Sequence, residues 1–336
     1  MILEPHRLVL RYLSPPVGQL PGMAQVTHRC SNINSPEIYN TTKSGPLDLE
    51  QRTELVVCTP IVGGPLEECE SPRILVRCLL DCLIGLANSF LKSFPHLDIS
   101  TRNLLRRLGK ERRTAPEPVS RHDPSLCSDE MHFLSDYLNE CHALIVDGDI
   151  AVRGKERRVP GRDYSGNIPF LPTRVLRLWM NNEPILHTTI DDLQFFPWVL
   201  LWIAFRKDPA HPESEASLMA LNNDSLRNVS HTKAGLIQEI ADRFSMSSLP
   251  QSVRVIRDLF NRWIDLSREA TEQLFILLEG ERFTGNKLNS NLQLQAVFDD
   301  ALEGMTKKYL KEYMRAAVDF IEKEDVGLEL WPEPSA

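Results

Sequence analysis

In SPRILVRCLLDCLIGLANSFLKSFP, residues 71–95, apolar side chains return every three or four positions: Ile74, Leu75, Cys78, Leu79, Cys82, Leu83 and Leu86. That spacing predicts a helix of several turns with one buried face. Ser71-Pro72 supplies an N-cap and a first-turn residue, and Pro95 stops the run. Further on, TRVLRLWM, DDLQFFPWVLLWIAF, HTKAGLIQEIADRFS, PQSVRVIRDLFNRWIDL and REATEQLFILLEG repeat the pattern, as does the stretch from Asn291 to Gly327. Pro197 is expected to kink its helix or to mark its first turn. The chain therefore reads as mainly α. ISTRNLLRRLG is expected as a second helix closed by Gly109, and DEMHFLSDYLNECHAL as a third capped by Ser128. Asp191-Asp192 reads as a helix N-terminus, where acidic groups favour the dipole.

Residues 1–70 are different. Prolines, glycines and hydroxyl residues separate short apolar runs such as RLVLRYL and ELVVCTPIV, which suit strands or an extended arm. Such a segment is costly to order without a partner surface, so it is expected to reach a neighbouring copy and make a homo-oligomer. Asp147-Gly148 between IV and DIAV predicts a β-hairpin near 143–153. The expected organisation is an irregular, partly β arm (1–70), a helical subdomain with the hairpin (71–172), a helical subdomain (173–327) and an acidic tail (328–336). Trp331 in that tail is placed to anchor it to the body or to another molecule.

The 336 residues carry a net charge of −8 and ordinary hydrophobic content (42%), which excludes a wholly disordered or generally cationic chain. Seven cysteines at irregular spacing read as reduced thiols, which points to the cytoplasm or nucleus. The opening MILEPHRLVLRYLSPPVG puts prolines and charges where a secretory core belongs. ILVRCLLDCLIGLANSFL (74–91) is interrupted by Arg77 and Asp81, and FFPWVLLWIAF (195–205) is half a span, so both read as buried core and no membrane contact is expected.

No catalytic signature stands out. Glu156 occupies the hydroxyl position of the one approximate phosphate-loop match, and there is no G-x-S-x-G. Cys78 and Cys82 lie one helical turn apart without a histidine at metal-binding spacing, so no metal or cofactor is expected. Asp299, Asp300 and Glu303 in FDDALE match a D-D-x-x-[DE] pattern that would suit magnesium-diphosphate chemistry of the isoprenoid-synthase kind. They lack a second metal motif downstream, and an ordinary solvated helix face accounts for them.

The pentapeptide GKERR occurs twice, at 109–113 and 154–158. Around it stand Arg106, Arg107, Lys110, Arg112 and Arg113, then Arg153, Lys155, Arg157, Arg158 and Arg162, with Tyr164 placed to stack on a base. Arginine forks suit phosphates. The sequence reading is a non-enzymatic assembly protein of nucleocapsid or coat type that binds single-stranded RNA through these residues without regard to sequence. A helical protein-binding scaffold and a magnesium-dependent isoprenoid-type enzyme are the alternatives.

Overall fold

The computed structural model describes the strand pair at 28–29 and 57–58, and then 63–91, 95–108, 129–138, 140–146, 167–183, 185–242, 248–279, 292–324, 328, 330 and 331. Among these residues are seven α-helices: α1 (Pro72–Leu91), α2 (Thr173–Met180), α3 (Thr189–Lys207), α4 (Pro212–Leu221), α5 (Leu226–Ala241), α6 (Gln251–Glu279) and α7 (Leu292–Ile321). The chain is mainly α, as its periodicity requires.

α1 starts where Ser71 predicts it. The Ser71 hydroxyl accepts the Ile74 N–H at 3.1 Å, satisfying one of the donors that a helix start leaves open. Leu75, Leu79, Leu83 and Leu86 on its inner face are fully buried. Each such side chain contributes about 1.5–3 kcal/mol relative to exposure.

α3 is the axis of the body and is buried on nearly every side. Pro197 stands in its interior, not at its first turn. Edge-to-face ring pairs, Trp198–Phe260 at 5.9 Å and Phe196–Trp263 at 6.4 Å, join α3 to α6. Trp263 stacks in turn on Tyr313 of α7 at 5.7 Å. Arg73 closes the circuit by donating to the carbonyls of Ile321 and Lys323, at the end of α7. Both apolar stretches, 74–91 and 195–205, are therefore core. Among the described residues no helix is long and apolar enough to cross a membrane.

β1 (His28–Arg29) pairs antiparallel with β2 (Val57–Cys58). A second antiparallel sheet runs β3 (Gly63–Pro65), β4 (Leu104–Arg107), β5 (Ala143–Ile145), with Gly63 opposite Arg107 and Leu104 opposite Ile145. A Cβ at Gly63 would come within 2.7 Å of the Leu105 Cβ, so the close approach of β3 to β4 needs glycine.

Two expected helices are corrected here. ISTRNLLRRLG is a turn at 100–103 followed by strand β4, because Leu104–Arg107 find backbone partners on both sides. DEMHFLSDYLNECHAL is a 3-10 helix over Asp129–Tyr137, and its end is β5. Ala143, Leu144 and Ile145 are buried against α1 and β4, and that tertiary pairing overrides their helical spacing. The first strand of the hairpin near 143–153 is β5, paired with β4; its turn and second strand lie outside the described residues. α4, PESEASLMAL, was not foreseen, since its apolar residues follow no single face.

The tail folds back. Trp331 Nε1 donates to the Cys69 carbonyl at 2.9 Å, and Lys207 Nζ donates to the same oxygen at 2.8 Å while lying 5.6 Å from the Trp331 ring. Trp331 thus ties the tail to the body, just before α1.

Candidate functional site

Two consecutive carboxylates at the start of α3 organise the surface above it. Both are fully buried. Asp192 accepts the backbone N–H of His96 at 2.7 Å and of Leu97 at 2.8 Å, one on each oxygen. Asp191 accepts Arg174 Nε at 2.9 Å and Nη2 at 2.6 Å, together with the Thr188 N–H at 2.8 Å and the Thr188 hydroxyl at 3.1 Å. Burial, the largest single influence, would raise the Asp191 carboxyl, but the charge and hydrogen bonds of Arg174, the neighbouring His187 and the Thr188 N–H together outweigh it and hold the group below the usual carboxylate range. One helical turn therefore fixes two segments: the loop 95–103 through Asp192, and the entrance to α2 through Asp191.

The loop is tightly made. The His96 ring, 1% exposed, meets the Val146 carbonyl at 3.0 Å through Nε2. Leu97 has φ of 70°, a left-handed conformation that costs a leucine about 1–2 kcal/mol. Its N–H bond to Asp192 helps to hold it there. Asn103 Nδ2 donates to the Asp98 carbonyl at 2.7 Å and to Asp98 Oδ2 at 3.1 Å. The Asn103 carbonyl accepts the Val146 N–H at 2.8 Å, which places the end of β5 against the same loop. The half-exposed Asp98 is thus held through its main chain and its carboxylate by the Asn103 side chain. Asp147 follows Val146 directly in sequence.

The sequence model of the fungal protein kinase family matches residues 17–204, more than half of the chain. The chain belongs to the fungal protein kinase family. No curated protein matches it. Within the matched span, His96, Asp98 and Asn103 stand at the spacing of the protein-kinase catalytic loop H-R-D-L-x-x-x-N, with Leu97 in place of arginine and Ile99 in place of leucine. The bond to Asp192 comes from the backbone of residue 97, so it does not depend on which side chain stands there. Asp147-Gly148-Asp149, after β5, keeps only the aspartate of D-F-G. Ala115, Pro116 and Glu117 spell A-P-E, but they precede Asp147, whereas that motif closes the segment after D-F-G. No two glycines in the 336 residues are two positions apart, so G-x-G-x-x-G is absent from this sequence, as is V-A-I-K.

Membership of a kinase family overturns the RNA-binding nucleocapsid reading, and with it the scaffold and isoprenoid-enzyme alternatives. Arg106 is held at home: it donates to the Glu68 carbonyl at 2.8 Å and to Glu70 at 2.7 Å. Arg107 is the last residue of β4, its N–H bonded to the His142 carbonyl at 2.8 Å. Lys110, Arg112, Arg113, Arg153, Lys155, Arg157, Arg158, Arg162 and Tyr164 lie outside the described residues, as does most of the arm expected to join copies. On α7, Asp300 and Glu303 are exposed, Asp299 is half-buried, and Glu303 pairs with Lys307. No group of three or more potential metal ligands among His, Cys, Asp and Glu forms among the described residues.

His96, Asp98, Asn103 and Asp192 were missed in the sequence. The available signal was the His96, Asp98, Asn103 spacing, obscured by Leu97. Asp147 was read only as a hairpin turn.

A third anchor reaches the same neighbourhood from beyond the matched span. Lys233 of α5 is fully buried, its Nζ 2.6 Å from the Leu171 carbonyl and 4.2 Å from the centre of the Trp198 ring. It pairs with no carboxylate among the described residues, and burial pushes its ammonium well below the usual lysine range. The sign of the pH effect follows. Below about pH 10.4 the unfolded lysine takes up a proton that the folded one resists. The unfolded state then binds more protons, so stability rises with pH between the depressed folded value and the unfolded one. The urea midpoint of the native chain is expected to climb as pH is raised from neutrality towards about 10. Lys233→Met should flatten that slope; an unchanged slope would contradict the assignment.

Proposed function

We propose that this chain performs kinase-type phosphoryl transfer from a nucleoside triphosphate to a hydroxyl group of a protein. The observation that carries the reading is the loop in which Asn103 ties both the carbonyl and the carboxylate of Asp98, with its base fastened to Asp192. Asp98 is positioned as the general base. It accepts the proton of the acceptor hydroxyl as that oxygen bonds to the γ-phosphorus, and the bond from phosphorus to the bridging oxygen of the departing diphosphate breaks.

Magnesium, when bound, would supply the positive charge that neutralises the phosphate oxygens. The donors present suit it. Asn103 uses its side-chain nitrogen on Asp98, which leaves its side-chain oxygen as a hard ligand. Asn103 would hold the ion together with Asp147, the aspartate at the D-F-G position, which lies outside the described residues. Arg102, exposed and without a partner among the described residues, adds positive charge to the same loop. The buried free thiols Cys69, Cys78, Cys82 and Cys141 support a reducing compartment, the cytoplasm or nucleus.

The test is transfer of label from γ-labelled ATP to dephosphorylated casein with magnesium present, beside a thermal-shift titration with Mg-ATP. Magnesium-dependent labelling and stabilisation are expected. Neither labelling nor stabilisation at millimolar Mg-ATP would overturn the reading.

A further inference from the structure

Two of the buried thiols meet. Cys69 Sγ lies 3.9 Å from Cys78 Sγ, and both side chains are fully buried. Cys78 stands on α1, where its thiol also reaches the His142 carbonyl at 3.6 Å. Cys69 stands in the link before α1, with φ of −59° and ψ of 127°. A disulfide needs its sulfurs about 2.05 Å apart, so the separation must fall by about half. A helix holds Cys78 in place, and the move falls to Cys69 on the link.

That link is pinned from three sides. Arg106 of β4 takes the Glu68 carbonyl at 2.8 Å and the Glu70 carboxylate at 2.7 Å. Between them, the Cys69 carbonyl accepts Lys207 Nζ from the end of α3 and Trp331 Nε1 from the tail. Of the tail, Leu328 is buried, Trp331 is half-buried and Leu330 is 71% exposed. A short segment near a chain end opens at far lower cost than the body. The tail is therefore the element of this junction that lifts most readily, and it is seated on the residue whose thiol faces Cys78.

We propose that Cys69 and Cys78 are an oxidation site gated by the tail: when Trp331 leaves the Cys69 carbonyl, a peroxide reaches the pair and closes it to a disulfide. The hydrogen bond shared with Cys69 and burial push the Cys78 thiol up, which leaves Cys69 to attack first. Its sulfur bonds to one peroxide oxygen, the O–O bond breaks, and the departing hydroxide leaves as water with the Cys69 proton. Cys78 sulfur then attacks Cys69 sulfur. The S–S bond forms, the S–O bond breaks, and the hydroxyl leaves as a second water with the Cys78 proton. Two thiols are oxidised by two electrons and the peroxide is reduced to two waters. Drawing Cys69 towards α1 carries its carbonyl out of reach of Trp331, so the closed pair keeps the tail lifted. None of this depends on phosphoryl transfer.

The experiment treats the reduced full chain with hydrogen peroxide, blocks remaining thiols by alkylation and maps tryptic peptides without reductant. Trypsin cuts after Arg73 and Arg77, so Cys69 and Cys78 leave on different peptides. Cys58 and Cys82 travel on those same two peptides, so Cys69→Ser and Cys78→Ser identify the sulfurs. A linked pair is expected in the native chain, absent from both C69S and C78S and reopened by dithiothreitol. Losing the Trp331 bond should speed its formation about tenfold in Trp331→Ala. Trp331→Phe, which keeps a ring but no N–H, should fall between native and W331A, and it carries the test alone if W331A does not fold. Amide exchange at 328–331 should quicken in the oxidised native chain. No linked peptide, or one that persists in C69S or C78S, overturns the site. Formation at the native rate in the Trp331 variants, or unchanged exchange at 328–331, overturns the gating by the tail.

Discussion

Asp98→Asn is expected to lower phosphate transfer by about 10²–10⁴-fold, the usual contribution of a positioned general base. The substitution is nearly isosteric. The bond from the Asn103 side chain to the main-chain carbonyl of residue 98 survives, and the new amide oxygen can still accept the second bond from Asn103. What disappears is the ability to take a proton. The loss should therefore appear in kcat, with the KM for Mg-ATP within about threefold and the melting temperature within a few degrees of native. Full activity in D98N would remove Asp98 from the mechanism. A collapse of the melting temperature would instead make Asp98 a structural residue of the loop.

The helices were legible because their burial is periodic. α1, α2, α5 and α6 each carry apolar residues at three and four residue spacing, α3 is a nearly continuous apolar run, and Ser71 names the start of α1 outright. β4 and β5 were not legible. Leu104 and Leu105 precede Arg106 and Arg107 in a pattern that suits a helix equally well, and only the distant partners Gly63–Pro65 and Ala143–Ile145 decide for a strand. Non-local pairing leaves little trace in a window of ten residues.

The site was illegible for a related reason. Its residues are scattered: His96, Asp98 and Asn103 on one loop, Asp147 after β5, Asp191 and Asp192 at the start of α3. The acidic pair was rightly placed at a helix start, but a dipole argument accounted for it too soon. Burial of both carboxylates marks them as anchors, and burial is a property of the fold. The repeated GKERR drew attention because charge is conspicuous in a sequence. Arg106, beside the first copy, spends its charge on Glu70 and the Glu68 carbonyl, an ordinary local use of an arginine.

Asp192→Ala is expected to unfasten the loop, and Asp191→Ala the entrance to α2, with separable signatures although the two residues are adjacent. In D192A the N–H groups of His96 and Leu97 lose their acceptors while buried. At about 1–3 kcal/mol for each orphaned group, the cost is about 2–6 kcal/mol, a large share of an ordinary domain's stability. The left-handed Leu97 has less reason to stay at φ of 70° once the bond that holds it is gone. Amide exchange should accelerate across 96–103, and transfer activity should fall at least as far as in D98N, since Asp98 is no longer aimed. In D191A the Arg174 guanidinium is left buried without its carboxylate, which typically costs about 3–5 kcal/mol. There the exchange should accelerate in 167–180, with the loop 96–103 still protected. Denaturant titration with residue-resolved exchange on both variants separates the cases. Identical exchange patterns would mean that the two carboxylates serve one cooperative unit, and that the division of labour between the loop and the entrance to α2 does not exist.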